Sequence, residues 1–157
     1  MTLTRTKPKK RKKLRADALP RCSNRQCQRI ARVRGMCPPH AEKHADDLFR
    51  EYIRNRDQRC TAEGMWGIRC QGFPAVAHNV GRGNHSVRWD PENCALLCNN
   101  GHHYTVDQHG KEAHKREWMV ALLGEERYAA LMARALVIRK RNEAIEAALD
   151  WLKEETG

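Results

Sequence analysis

Cys22, Cys27, Cys37 and His40 fall in the pattern C-x4-C-x9-C-x2-H within CSNRQCQRIARVRGMCPPH, and no other feature restricts the fold of this chain as much. Zinc takes four soft nitrogen or sulfur ligands at tetrahedral corners, and two close pairs joined by a short loop supply them. Gly35, just before the second pair, permits the tight turn such a knuckle needs. Three unrelated buried thiols are the competing reading, but so polar a loop has little else to fold around. Arg25 lies within the first pair and Arg29, Arg32 and Arg34 between the two; all four are expected to face phosphate, with a solvated basic loop as the alternative.

The rest of the composition agrees with a metal-stapled fold. Of 157 residues only 40% are hydrophobic and two are Phe, while 31% are charged. The core must be modest, and small folds of this kind recruit metal. Seven cysteines cannot all pair, and no export signal is evident, so reduced thiols serving as ligands are favoured over cystines. No apolar run approaches the length that spans a bilayer, so a soluble cytoplasmic protein with no membrane partner is expected. Net charge is +11. Eight of the thirty Lys and Arg residues crowd between Arg5 and Arg15, among them Lys9, Lys10, Arg11, Lys12 and Lys13. Such an arm suits a polyanion, because each phosphate neutralised releases a counterion. A disordered solubilising tail is the plainer alternative.

Four segments follow from the pattern. Residues 1–20 read as a disordered basic arm, and residues 21–56 as the zinc knuckle plus a helix with Ala41, Ala45, Leu48, Phe49, Tyr52 and Ile53 on one stripe. Residues 57–124 form a core that begins with turns and a short hairpin around Gly64, Gly67, Gly72 and Pro74, and ends in a helix stopped at Gly124. Residues 125–157 lack Pro and interior Gly and read as one long helix. In it Leu131, Ile138, Ile145 and Leu152 recur every seven residues, with Tyr128, Ala135, Asn142 and Leu149 between them. That spacing fits a coiled-coil seam of a homodimer, although a stripe packed on its own domain is favoured. The fold class is α+β.

The stretch AHNVGRGNHSVRWDPENCALLCNNGHHY, from Ala77 to Tyr104, carries the chemistry. His78 ends the strand-like run PAVAH, where an imidazole of near-neutral pKa can take a proton from water. Asn93 has no useful pKa and is suited to hydrogen-bonding across the loop, holding that base in line. His102 starts the helical half, where a neutral imidazole can ligate Mg²⁺, Mn²⁺ or a softer ion. Arg82 and Arg88 lie on the glycine-rich loop between, which is placed to cradle DNA phosphates or is simply flexible.

With Trp89-Asp90-Pro91-Glu92-Asn93, Leu97-Cys98, His102-His103 and the segment from Trp118 to Leu131, residues 57–135 resemble the HNH endonucleases of small phage-encoded type. The resemblance implies a ββα-metal core, His78 as general base, Asn93 as orienting residue and His102 as ligand of one divalent ion. Mg²⁺ or Mn²⁺ is implied there, with Zn²⁺ or Ni²⁺ as alternatives, acting on double-stranded DNA in a bacterial host cell. It also implies association with phage packaging or recombination proteins. Ala77 stands where the family often carries Asp or His as a second ligand, so His103, Asp107 or His109 must serve instead. Cys98 is followed three residues on by Gly101 where many members place a second Cys. A second zinc built from Cys60, Cys70 and Cys98, with or without Cys94, is therefore weighed against buried structural thiols, which are preferred. The alternative function is a catalytically inactive, zinc-stabilised DNA-binding or packaging-accessory protein.

Overall fold

In the computed structural model, residues 19–107 and 112–156 are described, without the side chain of Asp107; Lys9, Lys10, Arg11, Lys12, Lys13 and His109 lie outside them. The fold is α+β: helices packed on a two-stranded antiparallel sheet. Helix α1 spans Pro38–Asp57, with Cys37 at its N-cap and prolines in its first turn. Proline suits that position because its missing N–H would have had no helical partner. Strand β1, Pro74–His78, pairs with β2, Cys94–Cys98, so that Val76 faces Leu96 and His78 faces Cys94. Helix α2 is the single turn Tyr104–Asp107, followed by α3, Glu112–Leu123, α4, Glu125–Ala135, and α5, Arg141–Thr156.

Side chains alternate across a strand, and this sheet uses both faces. Leu96 and Cys94 join Ala41, Ala45, Phe49 and Ile53 of α1 and Ile145, Leu149 and Leu152 of α5 in one core. Ala77, Ala95 and Leu97 join Val106, Trp118, Met119 and Leu131 in the other. His78 and Val76 therefore lie on the α1 side, and Ala77, fully buried, lies on the opposite face.

Two expectations are corrected. Residues 57–73 form no hairpin; they make an irregular segment with one tight turn at Met65–Gly67, and β1 pairs instead with β2. The single long helix over 125–157 is two helices broken at 136–140, and the heptad seam is broken with it. Leu131, Ile145 and Leu152 are buried, whereas Ile138 is 97% exposed. The break lets α5 fold back on α1. Polar groups of the preceding loop hold it: Asn84 Nδ2 donates to the Ala135 carbonyl at 2.8 Å, and the Arg139 N–H donates to Ser86 Oγ at 3.2 Å. Helix periodicity cannot register such side-chain capture from fifty residues away.

Candidate active site and metal centres

Two groups of three cysteines and one histidine bring all their ligand atoms within 4.8 Å of one another. The first is the expected set, Cys22, Cys27, Cys37 and His40. Cys22 Sγ is 3.2 Å from His40 Nδ1, and the Cys27 and Cys37 sulfurs are 3.7 Å apart. A tetrahedron with metal–sulfur bonds of about 2.3 Å has sulfur–sulfur edges of about 3.8 Å. A disulfide needs about 2.05 Å. The spacing thus fits a shared ion, and all seven cysteines are free thiols. Hydrogen bonding to the His40 ring and the Cys37 backbone holds the Cys22 thiol down to about 6, so a thiolate is available near neutrality.

The second group is Cys60, Cys70, Cys98 and His102. Here His102 Nδ1 lies 3.5, 3.6 and 3.1 Å from the three sulfurs. This placement changes two expectations. The preferred reading of Cys60, Cys70 and Cys98 as separate structural thiols gives way to a converged set, and Cys94 is not in it. His102, expected to ligate the catalytic divalent ion, is instead fully buried among the thiols. The reason is local. Residues Asn99–His103 form a widened π-type turn, and the His102 N–H donates to Cys98 Sγ. A side chain at Gly101 would come within 2.9 Å of both the Arg69 carbonyl and Cys98 Sγ. A cysteine at that position has no room, and the next residue, His102, supplies the fourth donor of the group. Burial pushes the Cys98 thiol up, but bonds from the His102 and Gln71 backbones and the His102 ring outweigh it and leave it at about 6.

His103, the neighbour of His102, lines a cavity of about 320 Å³ together with His78. Asp46 and Arg50 of α1, Arg82 of the loop and Lys115 of α3 complete its polar wall. His78 hydrogen-bonds the Arg88 backbone carbonyl. Burial, with Arg82 nearby, lowers the His78 imidazole to about 4, so the neutral form dominates at pH 7.

Asn93 is fully buried and ties the loop at both ends. Its Oδ1 accepts from the Val80 N–H at 2.8 Å, and its Nδ2 donates to the Val80 and Val87 carbonyls at 3.0 and 2.9 Å. The rest of RWDPEN is equally occupied. Arg88 donates to Asp46 at 2.7 and 3.1 Å and pairs with Glu42 at 2.8 Å. Its guanidinium, expected on DNA, is thus committed to α1. Trp89 Nε1 donates to Asp46, Asp90 accepts from the Glu92 N–H, and Asp90 and Glu92 pair with Arg127 and Arg134 of α4. Arg34 of the knuckle likewise pairs with Asp150 of α5 rather than standing clear.

Asp46, Arg50 and Lys115 were not singled out by the sequence. A lone acid or base on an amphipathic helix carries no signal until the fold turns it toward a cavity. No family model, no curated protein and no solved structure matches this chain.

Proposed function

We propose that the protein is a metal-dependent DNA endonuclease of HNH type, with His78 and His103 as its working imidazoles. The observation that carries this reading is their shared cavity, with the first imidazole neutral, bonded to a loop carbonyl, and walled by Arg50, Arg82 and Lys115. His78 takes the proton of the attacking water. Its hydrogen bond to the Arg88 carbonyl fixes the ring, while the Arg88 guanidinium on Asp46 and the Asn93 amide hold the backbone in place. Arg82 and Lys115, joined by Arg50 from its pair with Asp47, offer positive charge to a phosphodiester.

His103, assisted by Asp107 or by the phosphate itself, would hold the catalytic divalent ion. When bound, that ion polarises the phosphate and stabilises the departing 3′-oxygen. The two Cys₃His groups fit Zn²⁺ by donor type and spacing and are read as structural. Their metal would brace the knuckle at the start of α1 and the turn that presents His103.

His78→Ala is expected to abolish Mg²⁺- or Mn²⁺-dependent plasmid nicking while DNA retention in a gel-shift assay survives. Undiminished nicking by that variant defeats the assignment. The second reading, an inactive DNA-binding or packaging-accessory protein, is favoured by Ala77. That residue faces the buried core and brings no ligand to the cavity. A wild-type protein that binds DNA and never nicks it, with any divalent ion, selects this second reading.

A further inference from the structure

Three consecutive aliphatic residues stand in solvent at the break between α4 and α5: Leu136 is 84% exposed, Val137 56% and Ile138 97%. A connection of this kind ordinarily carries polar residues, and contiguous exposed apolar surface marks a contact site. The tip is also held firmly. Ser86 Oγ bonds the Val137 carbonyl and accepts from the Arg139 N–H, while Asn84 caps Ala135. Gly83 to Ser86 and the tip line one crevice, and the two residues before them, Gly81 and Arg82, line the His78–His103 cavity. The tip and the cavity thus share one short loop.

The charge beside the tip favours one kind of occupant. Arg139, Lys140 and Arg141 follow it directly, all exposed, on a chain of net charge +11; Lys140 pairs with Glu143 and Arg141 with Glu42, so Arg139 is the cation that meets a phosphate without first leaving an acidic partner. Packing a second copy on this surface would set like charges together. A duplex meets the same surface with phosphates for the cations and an apolar base stack for the aliphatics.

We propose that Leu136, Val137 and Ile138 form a wedge that enters the minor groove and unstacks a base step near the phosphate held in the cavity, with Asn84 and Ser86 locking the wedge to the site loop. Aliphatic side chains of this size kink duplexes by such insertion, and flanking Arg and Lys hold the backbone on either side. The choice of duplex DNA rests on the nuclease reading, whereas the unstacking itself does not require cleavage.

The test uses the full chain carrying His78→Ala, which leaves the DNA uncut, and duplexes with 2-aminopurine placed at successive positions. A fluorescence rise at one step is expected on binding. Adding Ile138→Ser should remove the rise and weaken binding by roughly tenfold. The salt dependence should not change, because no phosphate contact is lost. Ile138 is almost fully exposed, so metal content and melting should match the parent protein. Binding without a rise at any position overturns the wedge, as does a rise that survives Ile138→Ser. A concentration-dependent dimer that Ile138→Ser dissociates assigns the surface to a second copy and also overturns it. Wild-type protein that nicks without unstacking leaves the nuclease reading standing alone; protein that unstacks and never nicks leaves only the wedge.

Discussion

Adjacent histidines occupy different surroundings in this molecule, and the separate tasks proposed for them can be tested one side chain at a time. His102 lies within 3.1 to 3.6 Å of three sulfurs, whereas His103 opens on the cavity of His78. His102→Ala should therefore lose one of two bound zinc equivalents and several degrees of melting temperature. His103→Ala should keep both equivalents and lose nicking. Metal analysis beside a nicking assay reads both, and equal zinc loss from the two variants contradicts the division. His78 adds a dependence on pH. Its folded-state pKa, about 4, lies below the ordinary 6.5, so the unfolded chain binds more protons in between. Its contribution to stability is complete above about 6.5 and declines as pH falls toward 4. In melts between those limits His78→Gln should lose less stability on acidification than wild type, and identical slopes would exclude the shift.

At the scale of elements, the loop from Asn79 to Glu92 is a braced arch between α1 and α4 rather than a flexible phosphate cradle. Arg88 joins it to Asp46 and Glu42, and Asp90 and Glu92 join it to Arg127 and Arg134. Removing one partner of a largely buried pair leaves the other uncompensated. Arg88→Ala should cost about 2 to 4 kcal/mol in denaturant unfolding and slow nicking more than it weakens DNA binding. A loss confined to binding would return Arg88 to the DNA-contact role its sequence position suggested. Much of this level was legible in the sequence: the C-x4-C-x9-C-x2-H spacing marked the first thiol group, and the stripe through Ala41, Ala45, Phe49 and Ile53 marked α1. The second thiol group was harder to see because Cys60 and Cys70 come from an irregular segment, and the fourth ligand depends on a widened turn. The break after Ala135 depends on Asn84 and Ser86, whose partners are far along the chain. Helix propensity over 125–157 reports none of that.

Over the whole molecule, the two thiol groups bracket α1, one at its N-cap and the other beginning three residues past its last turn. Among the described residues the sheet has two strands, and sheets that small need helices or other supports to persist. Metal is accordingly expected to supply a large share of the folding free energy. Treatment with a strong chelator should strip both groups, flatten the cooperative thermal transition and expose Trp118. Restoring Zn²⁺ should bring the transition back, and a metal-free protein melting like the holo form would refute that role. One peptide bond joins His102 to His103, so the candidate Cys₃His centre and the cavity of His78 share a mechanical link. Exchanging the ion among the cysteines for a wider thiophilic one would shift the turn and carry the neighbouring imidazole with it. Under the proposed nuclease reading, turnover would then register the radius of an ion that never touches nucleic acid.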